Sequence, residues 1–556
     1  MYIKAFNKND TFLIKGIAII AILLHNFFHW IPPFIGENEF DFLINRLHRF
    51  IESLQATPLE FINVFFSYFG HYGVQLFIFI SAYGLAISFS QKPRNWGRFM
   101  LDRLTKLYPL LLTAIIVFFF AVILLEQRLL SLYEWREICY KLLFIHTLVP
   151  ESGLSLNGPW WFFALIFQLY LLFPLLFKLI KKYSWKAFIS VLILSYGLIY
   201  ISLFIYQPND YVTFMQNAPG HLPEFALGVY FALNKEKKIN SLFVITALVL
   251  FVLGNLFEVI FPLSFLSITF LFIYLFNLLQ PYLQSFNIVN RFFIYMGKIS
   301  MLLFAVHAFL RPPFIYLNNQ WNSFYGALFA ALLFVLAVIG VCAIAKPIYT
   351  YLVTLFQDAI QRISDLIKGK SLSKTIYKYT DYIIKCVLLV VYVWLGVRMF
   401  VHNPLEEIVN VSYDMEHTFN SVYKPYVVND EKEGIVLFND KDSSILAPNI
   451  TLDKRYRKFV LQLSFDLKSL DTGQALPVAV LSFEKGQQHY YWDERPLINE
   501  QGKSLNTGKW EHFFAEFNVK SDVLHISKVK DVKLFLVRNR GRFYYDNIHV
   551  KLMVVK

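Results

Sequence analysis

A chain of 556 residues that is 56% hydrophobic, 18% aromatic and only 16% charged lies outside the range of ordinary soluble proteins. Its formal charge of +13 does not point to nucleic acid: residues 401–556 balance 21 Lys and Arg against 21 Asp and Glu, and residues 1–400 hold 31 against 18. The basic excess therefore sits among the apolar runs, which have the ~17 to 25 residues needed to cross a bilayer as helix.

In chain order these runs predict an α-helical polytopic membrane bundle of ten spans plus one. They lie near 12–31, 62–89, 107–125, 159–180, 186–206, 218–233, 241–261, 264–281, 293–312, 324–345 and 383–400. The first is too long for a signal peptide and lacks a small-residue cleavage site. Basic residues collect in alternate loops: Lys92, Arg94, Arg98, Arg103 and Lys106; Lys178, Lys181, Lys182 and Lys186; Lys235, Lys237 and Lys238; Arg291 and Lys298; then residues 346–385. The positive-inside rule assigns those loops and the N-terminus to the cytoplasm of a cell membrane, and an odd number of spans sends the C-terminus outside. Residues 38–54 carry apolar positions on one helical face and are expected on the outer surface. Residues 134–149 would invert every later loop if counted as a span, so they are read as interfacial or re-entrant. The expected organisation is a membrane domain at 1–346, a cytoplasmic connector at 347–382, the additional helix at 383–400, and an external domain at 401–556.

From Val401 onward the period changes. Stretches such as "KFVLQLSFDL", "LPVAVLSF", "VKLFLV" and "FYYDNIHVKLMVV" alternate polar and apolar residues between turns, the pattern of half-buried strands. This predicts an extracytoplasmic all-β sandwich, jelly-roll-like. Cys139, Cys342 and Cys386 all precede it, so it holds no disulfide.

Polar residues inside spans are costly and so informative. In "IKGIAIIAILLHNFFHW", Lys15 either snorkels to the interface or acts, and His25 lies about 15 Å further along the helix. Imidazole suits proton transfer near neutrality. His29 follows one turn on. Further interrupted spans are "FGHYGVQLFIFISAYGLAISF" with His71 and Ser81, "RFMLDRLTKLYP", "NGPWWFFALIFQLYLLFP" with Trp160 and Trp161, "PGHLPEFALGVYF" with Glu224, and "MGKISMLLFAVHAFL" with Ser300 and His307. Apart from the turn that carries His25 and His29, no paired histidines and carboxylates fall at metal-ligand spacing.

In this order, along about residues 10–345, these segments resemble the integral-membrane acyltransferase-3 family, whose members O-acylate extracytoplasmic glycans. "KGIAIIAILLH" is similar to its first-span motif, "YGVQLFIFISAYGL" to its second, and Arg103 with Lys106 to the basic pair before the third. The family usually sets a basic residue eleven positions before the first-span histidine. Here the separation is ten and Asn26 holds the eleventh place, which offsets Lys15 and His25 by about 80° on a regular helix. Either the span is rewound, or His29, about 40° from Lys15, shares the task. Lysine stands where arginine is commoner at 15 and 106, and Ile166 lies near the place of an acidic residue that many members carry.

The resemblance implies transfer of an acyl group, most often acetyl, from cytoplasmic acetyl-CoA or another acyl-CoA to a polysaccharide hydroxyl outside. It makes His25 general base or acyl relay, with Lys15 supporting it or contacting the donor. Arg98, Arg103 and Lys106 are expected to hold the CoA phosphates, with Ser81 lining the route. Glu224 orients a histidine or caps a helix, and His307 lines the tunnel or packs. Trp160 and Trp161 are expected in an interfacial belt or stacked on sugar, with His71 a further substrate-binding candidate. No metal is implied.

In the external domain Tyr490, Tyr491, Trp492 and Trp510 are expected on loops, as sugar platforms or as core and edge residues of a scaffold. No nucleophile elbow or serine, histidine and aspartate arrangement is present there, so it is expected to be neither hydrolase nor transferase. Two rival functions are a glycan or lipid-precursor transporter, which would show related halves, and transfer to a different acceptor or of a different acyl group.

Overall fold

The computed structural model describes residues 2–3 and 5–368 apart from 36–38, 150–151, 206–213, 235–236 and 322, then the strands between Glu406 and Val555 with parts of their loops. The chain divides into two compact units, Met1–Val401 and His402–Lys556. The span expected at 383–400 and the connector beyond 368 lie outside the described residues.

The first unit is helical. Among the described residues eight helical runs are long and apolar enough to cross a membrane: Lys8–Phe28, Pro58–Gln91, Trp96–Glu126, Gly158–Tyr183, Trp185–Leu203, Phe261–Leu283, Asn287–Val306 and Phe324–Arg362. The expected spans near 218–233 and 241–261 are helices of 16 residues each, Ala218–Leu233 and Ser241–Leu256. At about 24 Å they fall short of a hydrocarbon core of about 30 Å.

Helix α1 (Lys8–Phe28) starts on a capping box in which Asn7 accepts from the Asp10 N–H and the Asp10 carboxylate accepts from the Asn7 N–H. Helix α2 (Ile44–Ala56) is the expected amphipathic surface element, with Leu47 and Phe50 packed on Phe34, Val64 and Tyr68. The second expected span is broken: α3 (Phe61–Phe69) ends in a 3₁₀ turn, Gly70–Tyr72, before α4 (Gly73–Gln91) resumes. Next come α5 (Trp96–Glu126) and α6 (Leu132–Leu142). At 11 residues, α6 is too short to cross. From it the chain continues through a buried 3₁₀ turn, His146–Leu148.

Helices α7 (Trp161–Tyr183), α8 (Trp185–Tyr200), α9 (Ala218–Leu233), α10 (Ser241–Leu256), α11 (Phe261–Ser285) and α12 (Asn287–Val306) follow. The unit's described part ends with α13 (Pro312–Trp321) and α14 (Phe324–Lys368). Helices α1 and α12 touch backbone to backbone, because a Cβ at Gly16 would collide with the Phe293 backbone and one at Gly297 with that of Phe12. A short ribbon pairs β1 (Tyr2–Ile3) with β2 (Lys237–Lys238), so the N-terminus lies beside a loop that the charge pattern assigns to the same face.

The second unit holds two antiparallel sheets. Its strands are β3 (Glu406–Tyr413), β4 (Val427–Asp430), β5 (Gly434–Asn439), β6 (Ser443–Leu452), β7 (Lys458–Ser469), β8 (Val478–Lys485), β9 (Gln488–Pro496), β10 (Ile498–Asn499), β11 (Trp510–Val519), β12 (Lys530–Val537) and β13 (Phe543–Val555). One sheet runs β10-β11-β7-β13-β5-β4, with β3 also on β13, and the other runs β6-β12-β8-β9. Both contribute to one core, where Phe459 meets Phe483 at 5.1 Å between ring centroids. The aromatics expected on loops are in strands instead: Tyr490, Tyr491 and Trp492 within β9, and Trp510 opening β11.

Candidate active site

Three imidazoles meet near the end of α1. His25 is buried and its Nδ1 lies 3.2 Å from the Phe66 carbonyl oxygen and 3.0 Å from that of Ser67. Carbonyls only accept, so Nδ1 carries the proton and Nε2 is the basic nitrogen. His29 caps α1, donates from Nδ1 to the His25 carbonyl at 2.7 Å, and sets its ring 4.6 Å from that of His25. His71, on the 3₁₀ turn, presents its ring at 5.5 Å and 65°. Gly70 admits this turn: a Cβ there would lie 2.6 Å from His25 Cβ. Since α1 is an unbroken α-helix from Lys8 to Phe28, the span is not rewound to bring Lys15 under His25.

Lys15 instead lies within electrostatic range of Lys106 on α5. It and Lys106 repel each other, and Lys106 also senses Arg103, Arg94 and Asp102. Asp102 is held by Arg94 at 2.9 Å and by Arg98 at 3.4 Å. Arg98, expected beside Arg103, is thus committed to that carboxylate one turn away. Arg103 lies over Phe99 and Tyr170, at 5.5 and 6.0 Å, and its buried Nε has no hydrogen-bond partner among the described residues. Arg103 and Lys106 gather positive charge near a carboxylate already in use, with Lys15 in electrostatic range of Lys106, an arrangement suited to phosphate.

The other expected residues are dispersed. His307 follows α12 and donates from Nδ1 to the Phe304 carbonyl at 2.9 Å, leaving a buried Nε2 without a partner. It lies within electrostatic range of His25 and Arg311. Glu224 is buried, with both oxygens lacking a hydrogen-bond partner among the described residues and the nearer lying 3.9 Å from His221 Nδ1. That places it beside a histidine; the N-cap of α9 is Asn217. Ser81 is half-buried on α4 and makes no hydrogen bond among the described residues.

The tryptophan belt is overturned. Trp160 and Trp161 are 0% and 3% exposed. Trp160 Nε1 donates to the Ala305 carbonyl at 2.7 Å, one of the last four of α12 that lack a helical partner. Trp161 stacks on His221 at 5.5 Å. Neither ring faces an interface or an open sugar site.

Sequence reasoning passed over Arg311, which donates to the Asn26 carbonyl at 2.9 Å and lies 4.4 Å over Trp30. Its signal was an arginine four residues after His307. It also passed over Lys141, fully buried in the re-entrant segment and donating to Ser155 Oγ at 3.1 Å, while Ser155 donates to Glu137 at 2.8 Å. Burial pushes the Lys141 ammonium down to about 7.

Eight helical runs long and apolar enough to cross a membrane define a multi-pass membrane protein, with an imidazole cluster near one end of α1 and basic side chains on α5. The profile of the acyltransferase-3 family, an acyltransferase domain, matches residues 12–346. The chain belongs to that family and is a membrane acyltransferase. No curated protein and no solved structure matches it.

Proposed function

We propose that the protein is an O-acyltransferase that moves an acyl group, acetyl first among the candidates, from cytoplasmic acyl-CoA to hydroxyls of an exported polysaccharide. The observation that carries this reading is the pinned tautomer of His25, on the helix whose other end adds Lys15 to the cation cluster. Acyl-CoA supplies an activated thioester. Lys15, Arg103 and Lys106 bind its phosphates, Arg103 through its guanidinium fork and the lysines as point charges.

His25 Nε2 takes the proton of the acceptor hydroxyl as its oxygen bonds to the acyl carbon. The carbonyl π electrons move onto oxygen, and the positive field of Arg311 favours that oxyanion. Collapse breaks the carbon–sulfur bond, and the imidazolium returns its proton to the departing thiolate. The Phe66 and Ser67 carbonyls hold the ring through Nδ1 while it is charged. In the same reading the span at 383–400 carries the β unit to the outer side.

Purified protein in proteoliposomes, given radiolabelled acetyl-CoA and isolated surface glycan, tests the reading. Label should appear on the glycan with wild type and not with His25→Ala. Transfer that survives the substitution refutes the assignment of His25, and glycan flux without CoA release favours a transporter.

A further inference from the structure

The outward face of the seven-stranded sheet carries groups that scaffold packing does not explain. Phe465, Phe513 and Ile548 fill the sandwich core, and strand alternation turns their neighbours the other way. On that other side Trp510 is 37% exposed and Phe514 45% exposed, with His512 between them on β11. Register sets Trp510 opposite Lys468, His512 opposite Asp466 and Phe514 opposite Ser464. Across β7, Tyr544 pairs with Lys468 and His549 with Ser464.

The centre of this array is built rather than incidental. Asp466 accepts from His512 Nδ1 at 2.7 Å and from Asn547 Nδ2 at 2.8 Å, one carboxylate oxygen to each. Asn547 reaches it because β13 bulges between Asp546 and His549, with Asn547 at φ 51. That left-handed conformation is uncommon outside glycine and tolerated by Asn, and bulges re-aim side chains. Beside it Ser412 Oγ and His549 Nδ1 are 2.7 Å apart.

We propose that this face binds a carbohydrate chain. Sugar rings present apolar C–H faces, which stack on aromatic rings, and a rim of hydroxyls that need both donors and acceptors. Trp510 and Phe514, four residues apart along one strand, are separated by about 13 Å, which is room for more than one ring. The polar cluster lies between them, oriented in advance by Asp466. A protein partner calls for an apolar centre and a polar rim, and this face has the reverse order. Nucleic acid calls for a cation excess, and residues 401–556 hold equal numbers of acidic and basic residues. The inference goes beyond the catalytic reading and does not depend on acyl transfer.

The full chain in nanodiscs is passed over immobilised cellohexaose, xylohexaose, chitohexaose and maltohexaose, with retention followed by biolayer interferometry. At least one sugar should be retained by wild type, and Trp510→Ala with Phe514→Ala should weaken that binding about tenfold or more. If the double variant melts early, Asp466→Asn, which preserves shape, should lower the affinity of a protein with wild-type melting. Retention of none of the four sugars overturns the proposal, as does undiminished binding by a folded variant. His25→Ala should bind as wild type, and loss of binding there would move the site to the membrane unit and also overturn it. Acyl transfer surviving His25→Ala refutes the catalytic reading alone and leaves this one standing.

Discussion

Gly70→Ala tests whether the 3₁₀ turn positions the catalytic imidazole. The added methyl would lie 2.6 Å from His25 Cβ and 2.7 Å from the Ala21 carbonyl oxygen, whereas ordinary contact begins at 3.4 Å. The turn must therefore retreat by roughly 0.8 Å, the difference between 3.4 and 2.6. Both neighbours belong to the rigid part of α1, so the strain falls on the turn, at a cost of about 1–3 kcal/mol. The carbonyls of Phe66 and Ser67, which hold His25 Nδ1, lie four and three residues before Gly70 and move with it. Misplacement of a reacting group by ~1 Å is worth about a hundredfold in rate. Turnover, followed as thiol release from acetyl-CoA in proteoliposomes with glycan present, should fall by about that factor while the protein still inserts and melts cooperatively. Gly84→Ala is the control: it lies on α4 with nothing within 4 Å of the added carbon, and it should keep full activity. Wild-type turnover in an inserted Gly70→Ala protein would refute the reasoning.

Three further outcomes are expected. Arg103→Lys keeps the charge but loses the planar fork, so KM for acyl-CoA should rise about tenfold with little change in kcat, as initial rates across donor concentrations will show. Trp160→Phe leaves the Ala305 carbonyl with the Asn157 amide alone, at 3.4 Å, and should cost about 1–3 kcal/mol, read as a lower melting temperature. Lys141 has its folded-state pKa near 7 because of burial, although Glu137 opposes the shift. Between about pH 7 and about pH 10 the unfolded chain binds more protons than the folded one, so stability should rise with pH across that window and be flat in this respect below it. Lys141→Met, which leaves Glu137 paired with Arg136 at 2.9 Å, should abolish the rise in melting temperature.

Much of this architecture is written into periodicity. The alternation of "FYYDNIHVKLMVV" marks β13 from Phe543 to Val555, and the apolar runs mark α1, α5, α7 and α12. What fails is what depends on a partner distant in sequence. The run at 62–89 reads as one span, and although Gly70, His71 and Gly73 interrupt it, nothing local fixes that Gly70–Tyr72 leaves the α-helix; the close approach that needs the turn is to His25, 45 residues earlier. Two tryptophans before a span carry the composition of an interfacial belt, yet Trp160 is drawn inward by a bare carbonyl at the end of α12, 145 residues on. Arg98 and Arg103 look alike in "GRFMLDRLTK", and Asp102 separates them by taking the first and leaving the second to the aromatic faces of Phe99 and Tyr170.

The anomalous spacing in α1 follows the same logic. Were Lys15 required to act on His25 directly, an offset of about 80° would be a defect that the helix should correct by rewinding. The helix is regular, and each side chain has partners of its own. Lys15 lies within electrostatic range of Lys106 on α5, and His25 faces the carbonyls of α3. We therefore assign Lys15 to the donor end of the route rather than to the tuning of His25. The group nearest His25 is then His29, since its ring lies alongside and its Nδ1 is anchored on the His25 carbonyl, and we propose that it shares the task. A lysine that serves phosphate need only reach the cation cluster, so the register of ten costs the site nothing that an eleventh residue would restore.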